Sequence, residues 1–225
     1  MLLVAMPQNK TMPHTVAPPK FSEKFQAELE DLFRWRRDVR RFRPDPLEPG
    51  MLEHLVHMAS LAPSVGYSQP WRFVLVKEPG LRQKVRQNFE ECNQAALASY
   101  KGEQAQTYAA LKLSGLDQAP VQLAVFCDRS TTTGHQLGLR TMPEMLEYSV
   151  VLACHTLWLA ARACGVGVGW VSILDPEKLS ADLDIAREWK LVAYFCIGYP
   201  EEEHLDPELS RYHWEQFQSP KILVK

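Results

Sequence analysis

The spacing of apolar residues predicts three helices that organise much of the chain. Residues 21–37 carry an apolar face at helical spacing and include Ser22, a residue type suited to an N-cap. A second amphipathic pattern covers residues 49–60, and a third, almost continuously apolar, covers residues 143–164. On the first helix Phe25, Leu29, Leu32 and Phe33 fall on one face. The inward-facing positions of the second are Leu52, Leu55, Val56 and Ala59. The third pattern predicts a long central helix in the core.

Four segments rich in β-branched and aromatic residues predict strands. Their sequences are WRFVLVK, VQLAVFCD, VGVGWVSI and WKLVAYFCIGYP. Because helical segments separate them, we expect one layered α+β or α/β domain over residues 21–225, with a flexible arm at residues 1–20. Residues 80–116 form two charged, weakly apolar helices that are expected to pack over the body of the protein. The strand order is left open by these patterns.

Bulk composition excludes several classes of protein. The 225 residues carry a formal net charge of −2 and a pI of about 6.4, which disfavours nucleic-acid binding. The five cysteines form no C-x-x-C pair, which disfavours a disulfide framework or a zinc site and suits a reducing cytoplasm. The longest apolar stretch is interrupted by Glu147, His155 and Arg162, so a membrane span is not expected. The amino terminus lacks the basic region of a signal peptide.

Other motifs fit structural roles better than chemical ones. Residues 165–170 read GVGVGW, which has the wrong spacing and the wrong order of elements for a dinucleotide-binding turn. We interpret Gly165 as a helix cap, followed by a strand whose small residues let something flat approach the backbone. His54 and His57 lack a third metal ligand nearby in sequence, so no metal site is expected. No nucleophile motif surrounds the serines, which disfavours a hydrolase.

The densest charge pattern is FRWRRDVRRF at residues 33–42, with five arginines and the single acid Asp38. One interpretation is a solvated helix end, where cations oppose the helix dipole. The other is an anion site, because guanidinium forks match phosphate oxygens and planar carbonyl edges. On a helix or its fraying end, Arg36 and Arg40 would share a face while Arg37 points elsewhere. A long ligand with polar groups at both ends would then meet arginines at two points.

Three motifs together resemble the nitroreductase-like FMN enzymes. They are RRDVRRF near the amino terminus, APSVGYSQPWRFVLV, and LWLAARACGVGVGWVSI, and the resemblance spans about residues 25–200. Within that family the chain is most similar to the 5,6-dimethylbenzimidazole synthases. Asp38 stands where ordinary nitroreductases tend to carry a small residue, and Tyr67 stands where they tend to carry Asn. The insert at residues 100–120 and the phrase GWVSI strengthen this resemblance.

The resemblance implies a fold, a cofactor and a set of site residues. It implies a central mixed sheet flanked by helices, and a homodimer that holds FMN at the subunit interface. The implied contacts to the flavin's phosphate, ribityl and pyrimidine oxygens are Arg36, Arg37 and Arg40, with Arg211 as a further phosphate ligand. The residues implied near the ring system are Ser64 and Gln69 on one side, and Gly169, Trp170, Val171 and Ser172 on the other.

The implied reaction destroys the flavin. Reduced FMN is the substrate, dioxygen reacts with it, and the products are 5,6-dimethylbenzimidazole, the lower ligand of vitamin B12, and erythrose 4-phosphate. Asp38 would act as general base and then acid at the ribityl carbon next to the ring, and Ser172 would assist by a hydrogen bond. The segment at residues 80–116 would be a lid that excludes water. The reduced flavin would come from a separate flavin reductase or, indirectly, from NAD(P)H.

Two other functions stay open at this point. One is an NAD(P)H-dependent nitroreductase or quinone reductase that keeps its flavin intact. The other is a flavin-binding protein without catalytic activity, which would share the arginine cluster but would not need Asp38.

Overall fold

The computed structural model describes residues 17–225, so most of the predicted arm at residues 1–20 lies outside the described residues. The helices are α1 (Glu23–Trp35), α2 (Met51–Ala59), α3 (Pro79–Ser99), α4 (Gly102–Ala110), α5 (Met145–Ala163), α6 (Pro176–Asp182) and α7 (Glu208–Arg211). The strands are β1 (Trp71–Leu75), β2 (Val121–Asp128), β3 (Gly167–Val171) and β4 (Trp189–Gly198). All four predicted strands and the three organising helices are confirmed.

The four strands form one sheet in the order β1-β2-β4-β3, and every neighbouring pair is antiparallel. The predicted mixed sheet is therefore corrected, because parallel pairing within the described residues is limited to one isolated bridge between Asp38 and Val168. The predicted α+β architecture, with helices layered on the two faces of one sheet, is confirmed.

Each face of the sheet has its own apolar cluster. On one face α2 and α5 pack through residues such as Leu55, Val150 and Leu157, all of which are fully buried. On the other face α3 and α6 contribute Val85, Phe89 and Leu179. Because α3 supplies core residues, the 80–116 segment is partly built into the domain as well as covering it. Its role as a lid stays a prediction.

Helix α1 begins where the sequence predicts and ends earlier. The Ser22 hydroxyl accepts a hydrogen bond from the backbone N–H of Phe25, as an N-cap should. The helix ends at Trp35 rather than residue 37, because Arg36 adopts an extended conformation with ψ of 117°. The arginines that follow lie on extended chain, so the expected helical sharing of a face by Arg36 and Arg40 does not apply.

No helix among residues 17–225 combines the length and the apolarity that crossing a bilayer requires. All five cysteines are free thiols, and Cys127, Cys154 and Cys196 are buried. Burial raises the pKa of each of these three thiols to about 12. These cysteines therefore serve as apolar core residues.

Candidate functional site

An extended segment at residues 36–42, which we name the arginine strap, lies along strand β3. The N–H of Val39 donates to the carbonyl of Val168 at 3.1 Å. A Cβ at Gly169 would lie 2.2 Å from the Val39 carbonyl oxygen, and one at Gly167 would lie 2.9 Å from the Val39 side chain. The small residues of this strand do admit a close approach, as predicted, but what approaches is the protein's own strap.

Phe42 anchors the end of the strap. Its side chain is 1% exposed and belongs to the apolar cluster on the sheet face that carries α3. The strap is therefore fixed at this end by the core and along its length by β3, so its charged side chains start from a rigid backbone.

The carboxylate of Asp38 is held at both oxygens. Oδ1 accepts a hydrogen bond from the backbone N–H of Trp170 at 2.8 Å, and Oδ2 accepts one from Arg40 Nε at 2.9 Å. The Asp38 side chain is still 32% exposed, so part of the carboxylate faces the cleft. A carboxylate that is oriented by two donors and open on one side is suited to proton transfer.

Two of the strap's arginines are tied to the central helix. The Arg36 guanidinium lies over the Trp158 ring, 4.7 Å from its centroid, and the Trp158 indole N–H donates to the Arg37 carbonyl at 3.2 Å. Burial lowers the pKa of Arg36, and the negative charge of Asp38 opposes that effect. Burial also lowers the pKa of Arg37, and the nearby charge of Arg36 adds to it. This crowding of partly desolvated cations favours an anion between them.

An acidic run at residues 201–208, which we name the acidic segment, faces the strap. Arg41 pairs with Glu202 at 2.7 Å and with Glu208 at 3.2 Å, and Arg37 donates to the Leu205 carbonyl at 2.8 Å. The pKa of Glu202 is lowered, chiefly by a hydrogen bond from His204. The pKa of Glu203 is lowered by a hydrogen bond from Arg162. Much of the strap's positive charge is therefore balanced from within the chain.

Arg36 is the exception in this network. Within residues 17–225 its guanidinium makes neither a hydrogen bond nor an ion pair at the side chain. Arg211 has only a long ion pair with Asp206 at 3.6 Å and a hydrogen bond to the Asp206 carbonyl. These two arginines line one cleft together with Arg37, Asp38 and Arg40. The cleft fits a phosphate, because it offers guanidinium donors that the chain itself leaves available.

The structure brings together only part of the predicted site. The cleft lining includes Arg36, Arg37, Asp38, Arg40 and Arg211, together with Gly167 and Val168. Trp170 packs edge-on against Phe195 at 5.3 Å. Val171 is 4% exposed, so its side chain belongs to the core and cannot line a ligand, and Gly169 is buried beneath Val39. At these two positions any contact with a ligand would come from the backbone, and their place beside the flavin stays a prediction.

The remaining predicted residues lie outside this cleft. Ser172 is exposed just beyond β3. The Ser64 hydroxyl accepts a hydrogen bond from the Gln69 backbone N–H at 3.0 Å, which closes a tight loop. Tyr67 and Gln69 in that loop have φ of 56° and 48°, values that non-glycine residues rarely adopt. Backbone strain of this kind is concentrated at functional sites in proteins.

The sequence interpretation missed Glu208, which lies between Arg40 and Arg41. Residues 201–208 contain five acids, and residues 33–42 contain five arginines. This match in charge could have indicated that the two segments pair. His54 and His57 belong to no cluster able to hold a metal among the described residues.

Several large apolar side chains are exposed on the described chain. Tyr148, Val151 and Leu152 project from α5, and Tyr67 is 76% exposed. Helix α1 exposes Phe25 and Phe33, while Ile222 and Val224 in the carboxy-terminal tail are each 92% exposed. Exposed apolar side chains are common sites of interaction when they lie together on one face, as those of α5 do.

The chain is similar to known proteins over most of its length. The family model described as "Nitroreductase family" matches residues 33–199. A 5,6-dimethylbenzimidazole synthase of Rhodospirillum rubrum is 55% identical over 197 residues, covering 88% of this chain and 93% of its own. A Rhodobacter capsulatus protein of the same name is 46% identical and covers 87% and 95%. A crystal structure of iodotyrosine deiodinase bound to FMN and 3-iodo-L-tyrosine superposes with a TM-score of 0.68, at 23% identity and 88% and 97% coverage.

Proposed function

The chain belongs to the nitroreductase family, and from that premise we propose that it is a 5,6-dimethylbenzimidazole synthase acting on reduced FMN and dioxygen. The products are 5,6-dimethylbenzimidazole and erythrose 4-phosphate. The observation that carries the proposal is the Asp38 carboxylate, oriented by Trp170 and Arg40 at the wall of an arginine-lined cleft.

The phosphate end of FMN would bind among Arg36, Arg37 and Arg211. Arg36 has donors that no described residue uses, and Arg211 has only weak internal partners. Guanidinium forks match phosphate oxygens, and partial burial strengthens the attraction relative to an exposed site. When bound, the reduced flavin supplies the reactivity toward dioxygen.

Asp38 would move protons at the ribityl carbon next to the ring. Its exposed edge faces the cleft while its two hydrogen bonds fix the direction of its free lone pairs. Such positioned proton transfer contributes about 100- to 10,000-fold in rate. Arg40 donates to one carboxylate oxygen and holds it in place, which orients the group for proton transfer.

A second copy of the chain would complete the site. Ser64, Gln69 and Ser172 lie outside the cleft lining, and apolar side chains are exposed on α5 and in the tail. A symmetric dimer would bury these side chains and bring one protomer's loop to its partner's cleft. In that arrangement Ser172 would hold the ring or the oxygen by a hydrogen bond.

The proposal also covers the lid, the source of reduced FMN and the cellular compartment. The 80–116 segment would act as a lid over the cleft. In support, Arg40 at the cleft donates a hydrogen bond to the carbonyl of Lys112, near the end of that segment, at 3.1 Å. Reduced FMN would come from a separate flavin reductase or from NAD(P)H indirectly. Five free thiols suit the reducing cytoplasm.

The test is a single aerobic turnover. The purified protein is mixed with FMN, reduced without oxygen, exposed to air, and analysed by mass spectrometry for 5,6-dimethylbenzimidazole. The matched control is Asp45→Asn, which removes an exposed acid from a pair with Arg43 at 3.5 Å and should leave the yield unchanged. Recovery of intact oxidised FMN alone from the wild type would refute the proposal. Sustained NAD(P)H oxidation with a nitroaromatic or quinone would instead identify a conventional reductase.

A further inference from the structure

Arg40 connects three parts of the molecule. Its Nε donates to Asp38 at 2.9 Å, and its Nη1 donates to the Lys112 carbonyl at 3.1 Å. The same Nη1 lies 3.6 Å from Oε1 of Glu208. The side chain is only 11% exposed, so these contacts, rather than water, determine where the guanidinium lies.

Glu208 is an unusual acid for its position. Its side chain is 10% exposed, and one oxygen lies 3.2 Å from Arg41. The other oxygen, Oε1, is buried and accepts no hydrogen bond. An ionised carboxylate is costly to bury unless it is compensated, and here the compensation comes from the charges of Arg40 and Arg41 on either oxygen.

We propose that Glu208 is a positioning residue that holds Arg40 against Asp38, an inference that rests on the proposed function. Glu208 contacts neither the exposed edge of Asp38 nor Arg36, so its effect would pass through Arg40. Its contribution is a second carboxylate beside a buried cation.

The reason lies in the charge that Asp38 loses when it takes a proton. At that moment Arg40 no longer faces an anion on its Nε side, and a nearly buried guanidinium without a counter-ion would move toward water. Glu208 keeps a carboxylate within 3.6 Å of Arg40 throughout, so the guanidinium stays in place. The arrangement preserves the geometry of Asp38 for the return of the proton, and it keeps the bond between Arg40 and Lys112.

The variant Glu208→Gln tests this inference. We expect fragmentation of bound reduced FMN to slow by about 10- to 100-fold, since small displacements of a catalytic group cost this much. FMN affinity, measured by quenching of flavin fluorescence, should be unchanged or higher, because the variant removes a negative charge near the phosphate-binding arginines. A merely structural defect would weaken binding and slow the reaction together.

Two further variants sharpen the result. Glu202→Gln removes another acid that pairs with Arg41, but Glu202 is 43% exposed and has no contact with Arg40, so the rate with bound flavin should not change. Glu208→Asp keeps the carboxylate and should recover part of the rate lost in Glu208→Gln. Because it keeps the carboxylate, this variant also provides a test if the glutamine variant folds poorly. A Glu208→Gln variant with the wild-type rate would overturn the inference, as would an aspartate variant no faster than a folded glutamine variant. Wild-type protein without product would instead refute the proposed function.

Discussion

Replacing Asp38 with asparagine separates the structural role of this residue from its chemical role. Asparagine keeps the size of the side chain. Its carbonyl oxygen can still accept the hydrogen bond that the Trp170 N–H donates to Asp38 at 2.8 Å in the wild type. Its amide nitrogen would face Arg40 Nε, which is also a donor, so the 2.9 Å hydrogen bond is lost. The variant therefore removes one charge-assisted bond and leaves the other contact in place.

The expected loss of stability is modest. A hydrogen bond to a charged group contributes about 1.5–3 kcal/mol, and partial exposure of the Asp38 side chain together with the remaining partners of Arg40 reduces this to about 1–2 kcal/mol. For a chain of this size the melting temperature should fall by about 2–8 °C. Product formation should fall by about 100- to 10,000-fold, because the general base is gone.

The assay compares melting temperature, flavin binding and product yield in one set of samples. FMN affinity should be retained, because the arginines of the cleft are untouched. Asp128→Asn is the matched control, since Asp128 is 12% exposed and pairs with Arg72 at 2.7 Å away from the cleft. That control should lose comparable stability but keep its product yield. An Asp38→Asn variant that forms product at the wild-type rate would refute the assigned chemistry.

Three other predictions follow from the packing and charge of the described residues. Gly169→Ala should destabilise the protein by about 2–3 kcal/mol in urea unfolding, because the added methyl would meet the Val39 carbonyl; unchanged stability would contradict this packing. Thiol reagents on the folded protein should modify exposed Cys164 rapidly and the three buried cysteines only after unfolding, as peptide mass mapping can check. The lowered pKa values of Glu202 and Glu203 mean that their stabilisation is complete above about pH 4.5 and lost as pH falls through their folded pKa values. The urea midpoint should fall accordingly below about pH 4.5, and Glu202→Gln/Glu203→Gln together should reduce that fall.

Local patterns predicted the elements of the fold well. Ser22 and the spacing of Phe25, Leu29 and Phe33 are local signals, and the helix begins where they indicate. The end of α1 was misplaced because pairing of Val39 with Val168, residues far apart in sequence, draws the arginine strap out of the helix. Strand order also depends on such long-range contacts, so the antiparallel sheet could not be read from the sequence.

The site was predicted in part for the same reason. The strap's arginines and Asp38 are dense enough in sequence to be noticed, and the structure gathers them in one cleft. Glu208 was missed because its importance depends on a contact with Arg40, which no local pattern reports. Val171 was expected beside the ligand, but alternation along β3 turns its side chain into the core.

The most direct measurement is a crystal structure of the protein with FMN. The account predicts the phosphate among Arg36, Arg37 and Arg211, and the Asp38 carboxylate within about 4 Å of the ribityl carbon next to the ring, a reach consistent with direct proton transfer or one bridging water. A flavin bound elsewhere, or an Asp38 side chain directed away from the ribityl chain into solvent, would contradict it.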